Sequence, residues 1–152
     1  MKRSDKQIED KADIESIIRD STICHLALCA EDQPYVVPLN FGYDKESLYF
    51  HCAMDGKKVD IIRRNPAVCF SFVPDHRLVP SETSCDWTTK YRSVTGFGTA
   101  SLVDDRKSKV EALGIIMEQY SENKVQFEDR AVDKVLIIRV DIENMTGKVS
   151  GD

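Results

Sequence analysis

The sequence predicts a mainly β protein with peripheral α-helices, folded as one small closed or nearly closed antiparallel barrel. Three observations carry this. Apolar stretches of strand length recur with short polar turns between them. No strand–helix–strand alternation runs along the chain, so a parallel sheet is not expected. The 152 residues, 41% apolar and 31% charged, have the balance of one soluble domain with no repeat and no linker.

Taken in order, Ser4-x-x-Gln7 resembles a capping box, and Ile8, Ala12, Ile14, Ile17 and Ile18 follow at helical spacing. A first helix is expected to end near Asp20-Ser21. Strands follow over Ile23 to Ala30, Tyr35 to Tyr43 and Leu48 to Ala53, joined by the polar turns 31–34 and 44–47 as an antiparallel meander. Gly56 opens a short helix, Lys57 to Arg64, that buries Val59, Ile61 and Ile62 and stops at Asn65-Pro66. Ala67 to Val73 reads as a strand and Pro74 to Lys90 as a loop. Tyr91 to Val103 is a long strand whose Gly96 and Gly98 imply a bend or a close approach. Asp105 to Tyr120 is a helix with Val110, Leu113, Ile116, Met117 and Tyr120 on its apolar stripe. Val135 to Ile142 is the last strand, and a polar tail begins at Glu143.

Charge and cysteine usage narrow the function. A net charge of −5 argues against a general nucleic-acid or anionic-membrane binder. The basic start Met1-Lys2-Arg3 is followed by no apolar segment of a signal peptide, and no apolar run reaches membrane-spanning length. Five cysteines without close pairs read as reduced thiols, so a cytoplasmic protein is expected. No metal site is expected: Cys24-His25 and His51-Cys52 are adjacent pairs whose members point to opposite strand faces. No G-x-S-x-G elbow supports hydrolase chemistry.

Three features could carry chemistry. The run Tyr35 to Phe41 is apolar on both faces until Asn40, with Pro38 in its middle, where a strand paired on both sides rarely tolerates proline. Such a strand is either packed against a partner subunit or lies along a flat aromatic ligand. The second is Tyr49-Phe50-His51-Cys52-Ala53 with Gly56-Lys57-Lys58. A helix opening there offers unpaired N–H groups and two cations to a phosphate; the plainer reading is two solvated lysines. His51 is either a hydrogen-bonded packing residue or a proton donor and acceptor, since imidazole titrates near neutrality. The third is Cys85-x-Trp87 with Tyr91-Arg92-Ser93-Val94-x-Gly96-x-Gly98. Arg92 and Ser93 could meet a ligand's phosphate or ring edge, and Trp87 is either a core anchor or a stacking lid. Gly96-x-Gly98 lacks the third glycine and the setting of a dinucleotide loop.

The run Pro34 to Gly42 (PYVVPLNFG), Leu48 to Ala53 (LYFHCA), Gly56-Lys57-Lys58, Asn65-Pro66 and the Cys85 to Gly98 segment together resemble the pyridoxamine 5′-phosphate oxidase-like flavoproteins, most of all their nitroimidazole-resistance (Nim) branch. The resemblance spans about Ile14 to Val103. It implies a six-stranded antiparallel split β-barrel, a homodimer, and one FMN at each of two seam sites. By position, Val37, Pro38, Leu39 and Asn40 would line the flavin ring. Phe50, His51 and Cys52 would run beside the ring and ribityl chain, and Lys57 and Lys58 would hold the phosphate. Arg92 and Ser93 would approach the cofactor, and Trp87 would cover a substrate pocket. His51 falls where that branch has a histidine near the pocket. The implied activity is an FMN-dependent oxidoreductase acting on a small planar acceptor such as a nitroaromatic. The oxidase proper has an arginine before its flavin strand, an Arg-Lys pair at the phosphate and a C-terminal tryptophan segment. This chain has none of these, so the resemblance does not extend to pyridoxine phosphate oxidation. The alternatives are a flavin- or haem-binding protein without turnover, with His25, His51 or His76 as axial ligand, and a structural dimer that has lost its cofactor.

Overall fold

The computed structural model describes residues 4–151; the basic start Met1-Lys2-Arg3 and the final Asp152 lie outside the described residues. Among the described residues nine strands form one antiparallel sheet: β1 (Gln7–Ile8), β2 (Cys24–Ala30), β3 (Gln33–Leu39), β4 (Gly42–Tyr43), β5 (Ser47–Ala53), β6 (Ala67–Phe72), β7 (His76–Val79), β8 (Thr88–Val103) and β9 (Val135–Ser150). The helices are α1 (Lys11–Asp20), α2 (Lys57–Arg64), α3 (Arg106–Tyr120) and α4 (Asp129–Asp133). The six expected barrel strands are the six longest (β2, β3, β5, β6, β8 and β9), and β1, β4 and β7 are short additions.

The sheet order is β3-β2-β6-β8-β9-β5-β4. Its two edges, β3 and β4, are separated in sequence by only Asn40 and Phe41. The sheet must therefore curl until its edges meet, which closes a barrel split along that seam. The expected meander is corrected here: β3 and β5 are not neighbours. The stretch Tyr35 to Tyr43 is two strands, one pairing with β2 and the other with β5. The preceding turn is also tighter than expected. Glu31 and Asp32 alone make it, both at positive φ (52° and 58°), which suits the right-handed twist of a two-residue hairpin.

The barrel interior holds the core. Phe41, Phe50, Phe70 and Phe72 are fully buried, with the Phe41 and Phe72 rings edge-on at 4.8 Å. Gly96 is part of this packing: a Cβ there would come within 2.3 Å of the Phe70 ring. The close approach expected at Gly96 and Gly98 is thus to the core and to β9, not to a ligand. α2 lies where expected and packs Val59, Ile61 and Ile62 into the same core. Asn65 ends it, donating to Cys29 O at 2.9 Å.

Four further expectations are corrected. α1 begins at Lys11, capped by the Asp10 carboxylate, which accepts from the N–H groups of Ala12 and Asp13 (2.9 and 3.1 Å); Gln7 and Ile8 instead pair with β9. The segment Pro74 to Lys90 is not all loop, because β7 pairs with the start of β8. The tail from Glu143 is strand: β9 runs to Ser150 with Glu143 as the extra residue of a bulge, and Gly147 makes room for Ile8. α3 keeps Leu113 and Ile116 of its expected stripe inward but is turned so that Ala112 and Lys109 join them. Ala112 and Ile116 face Ile137, Val110 and Tyr120 are exposed, and the buried Lys109 ammonium bonds Asp104 and Val135 O (3.1 and 3.0 Å). No helix among the described residues is long and apolar enough to cross a membrane.

Two glycines near this helix have opposite surroundings. A Cβ on Gly42 would lie 2.6 Å from the Ile116 backbone nitrogen, whereas one on Gly114 would meet nothing within 4 Å. Gly42→Ala is expected to destabilise by about 1–3 kcal/mol through overpacking. Gly114→Ala is expected to stabilise by about 0.5–1 kcal/mol, by restricting the unfolded chain and favouring helix. Urea denaturation of the two variants measures both signs.

Candidate functional site

The open edge of β3 is chemically unusual. Ala30 and Gln33 close the hairpin as its hydrogen-bonded pair, so the alternation of an antiparallel ladder gives the backbone groups of Gln33, Tyr35, Val37 and Leu39 to β2. Those of residues 34, 36 and 38 face the open edge. Two of these are prolines. Within β3 the open edge thus carries three carbonyls, of which Pro34 O already accepts from the Gln33 side-chain amide at 3.3 Å, but one N–H, that of Val36. This guards against strand-on-strand aggregation and leaves a mixed edge able to pair with a ligand. Val36 was absent from the sequence-based list; the signal was the Pro-x-x-x-Pro spacing, which fixes which backbone groups face out. Conversely, Val37 and Leu39 turn their side chains to the barrel interior, so ring contact through them has neither an outer side chain nor a free backbone group. Asn40 ends the strand, its amide donating to Thr22 O at 3.3 Å.

α2 starts against this strand. The Lys57 ammonium lies 4.7 Å over the Tyr35 ring. Lys58 acts on the other side: burial pushes the Cys52 thiol up, and the nearby Lys58 charge pulls it part of the way back. The helix therefore opens between the ends of β3 and β5. Its N-cap is Gly56 at φ 135°, a backbone that L side chains rarely adopt, and no side chain caps it. α1 and α3 have aspartate caps, but the first N–H groups of α2 stay free alongside two cations. This constellation can hold a phosphate.

On β5, side chains alternate as expected. Phe50 and Cys52 point into the core, and His51 points out beside Ile137 in register. Phe50 can reach a ligand only through its backbone. Cys24-His25 divides in the same way, with Cys24 inside and His25 exposed. Among the described residues no group of three His, Cys, Asp or Glu side chains is placed to hold a metal ion.

The structure does not bring Arg92, Ser93 or Trp87 to this corner through any contact within the chain. Arg92 bonds Asp20 and Asp75 (each at 3.2 Å), tying the end of α1 to the β6–β7 turn. Ser93 pairs with Lys148. Trp87 is half-exposed in the β7–β8 connection, its indole N–H donating to Ser81 O at 2.6 Å; it is not a core anchor.

The outer face of the sheet carries a row invisible without the register: Val36, Ala27, Cys69 and Phe97 lie side by side on β3, β2, β6 and β8. Val36 and Phe97 are 62% and 52% exposed. Pro38, His25, Ser71 and Thr95 form the next row.

Comparison with known proteins fits this architecture. A candidate 5-nitroimidazole antibiotic resistance protein from Bacteroides thetaiotaomicron VPI-5482 is 38% identical, covering 94% of this chain and 86% of that chain with a TM-score of 0.83. An FAD- and haem-binding protein from Mycobacterium smegmatis shares the fold at 18% identity, covering 97% of this chain and 74% of that chain with a TM-score of 0.86. A curated relative, an uncharacterised protein of Rhizobium meliloti (strain 1021), is 31% identical over 62 residues, which is 41% of this chain and 40% of that protein. The family model described as pyridoxamine 5′-phosphate oxidase matches residues 10–149. With the barrel, the seam and this match together, the chain belongs to the pyridoxamine 5′-phosphate oxidase family.

Proposed function

We propose that this protein is a homodimeric FMN-dependent reductase of the Nim-like class, passing electrons to a small planar acceptor such as a nitroaromatic. The observation that carries the reading is the meeting of Lys57 with Tyr35, which sets an uncapped, doubly cationic helix start against a strand with a free polar edge. The two halves suit the two ends of FMN. Val36 offers an N–H and a C=O side by side, as a strand does to its neighbour, and these complement the lactam N–H and C=O of a flavin's pyrimidine ring. The start of α2 suits the phosphate.

When bound, the flavin supplies the electron transfer, and the protein supplies orientation and electrostatics. In this reading Lys57 and Lys58 neutralise the phosphate, and the backbone at Val36, Pro38 and Asn40 fixes the ring. His51, exposed on β5 at the other side of the sheet's open seam, is the acid–base group that would exchange a proton with the acceptor. The likeness to the Bacteroides protein supports the nitroaromatic class. A second copy would cover the apolar row Val36, Ala27, Cys69 and Phe97, and could supply Arg92, Ser93 and Trp87 to the seam.

A second reading is a flavin- or haem-binding protein without turnover. The shared fold with the FAD- and haem-binding Mycobacterium protein, together with the exposure of His25, His51 and His76, favours considering it. The visible spectrum of the purified protein separates haem from flavin.

Three outcomes are expected. Lys57→Ala/Lys58→Ala weakens FMN binding roughly 3- to 30-fold, from about 0.3–1 kcal/mol per charge at a helix start, and unchanged affinity sinks the phosphate assignment. After anaerobic reduction of the flavin, a nitroimidazole restores the oxidised spectrum; a flavin that stays reduced leaves the second reading. Phe97→Glu converts the dimer to monomer in light scattering, and a persistent dimer places its interface elsewhere.

A further inference from the structure

A second group of cations lies far from α2. β7, the first residues of β8 and the last of β9 form a three-stranded extension past the point where β6 ends at Phe72. Lys57 stands over Tyr35, at the end of the sheet where β6 begins. The extension is thus at the other end of the barrel from the start of α2. It holds a groove of about 580 Å³, within the roughly 300–1,000 Å³ of small-molecule sites.

Arg77 of β7 and Lys90 of β8 both line this groove and are directly opposite in register. Side chains paired in this way stand on one face about 5 Å apart, and like charges there destabilise the sheet. Neither side chain has a hydrogen-bond or ion-pair partner among the described residues. Arg92, two residues along the same face, brings no relief. It adds a third cation and holds the carboxylates of Asp20 and Asp75 to itself, at 3.2 and 3.1 Å. The repulsion therefore stands uncompensated in a chain with 26 acidic residues against 21 basic ones. The Lys90 stem is also set in place. Gly151 lies against it at φ 92°, and a Cβ there would come within 2.5 Å of Lys90 Cγ.

We infer that this groove binds a small phosphate monoester, with its phosphate between Arg77 and Lys90. The guanidinium fork and the ammonium donate to separate oxygens, and the two negative charges of the phosphate match the two cations. A single carboxylate would leave one cation uncompensated. The groove has room beyond the phosphate, and Val149 gives it an apolar wall for the organic part of the ester. This site is separate from the start of α2 and does not rest on the flavin reading.

The test is isothermal titration calorimetry with phenyl phosphate and with inorganic phosphate. It uses the full chain carrying Lys57→Ala/Lys58→Ala, which removes the other phosphate position, with and without Arg77→Gln/Lys90→Gln. The glutamines remove a repulsion, so without ligand the quadruple variant is expected to melt at or above the temperature of its parent, which also shows that it folds. The expected result is one phenyl phosphate bound per chain of the parent with a Kd at or below about 1 mM, weakened at least about tenfold by the two glutamines. No saturable binding to the parent overturns the site. Binding that survives the two glutamines overturns its placement in this groove. Inorganic phosphate bound as tightly as phenyl phosphate overturns the ester as the ligand.

Discussion

At Asn40 and Phe41 the chain leaves one edge of the sheet and joins the other, and the Tyr120 hydroxyl fastens that crossing. It donates to Thr22 O at 2.8 Å and accepts the Phe41 N–H at 3.0 Å. The Phe41 N–H cannot enter a ladder at the break, and partly buried it would otherwise lack a partner. Gln119 adds its amide to the carbonyls of Arg19 and Ser21 (3.0 and 2.9 Å), so the end of α3 also holds the end of α1. The Phe41 side chain, thrown inward by the crossing, becomes a central piece of the core against Phe72. Closure, core packing and the docking of α3 on Gly42 all depend on this two-residue break.

The same break creates the chemistry of the seam. β3 is the last strand on its side of the sheet, so its outer edge stays open, blunted by Pro34 and Pro38, and α2 opens beside it at Gly56. A strand edge and a helix start are the two places where backbone polar groups go unpaired by construction. Here the fold sets one against the other, with Lys57 spanning the gap to Tyr35. The protein is acidic overall, and its cations at this corner form a local field that the net charge of −5 conceals.

Much of this was legible in the sequence, for local reasons. α2 was placed to the residue, because Gly56, the apolar set Val59, Ile61 and Ile62, and the stop at Asn65-Pro66 are all short-range signals. The opposite facing of His51 and Cys52 followed from the two-residue period of a strand. The glycines of β8 announced close approach, though not that Phe70 and β9 were what approached. The capping box at Ser4 misled because Asp10 supplies a better-placed carboxylate, and β9 claims Gln7 and Ile8 before the helix can include them.

By itself the sequence determined the class of the fold, the positions of α2 and the main strands, and the two lysines at the helix start. Each rests on periodicity or on a cap within a few residues. Only the tertiary structure decided that Tyr35 to Tyr43 serves two edges, that the polar tail completes β9, and that Val36, Ala27, Cys69 and Phe97 form one row. It also decided that Val36 carries the free N–H and that Arg92 is held by Asp20 and Asp75. These depend on which strands pair and in what register, and that choice is made between residues far apart in the chain, where the pattern within any one strand is silent.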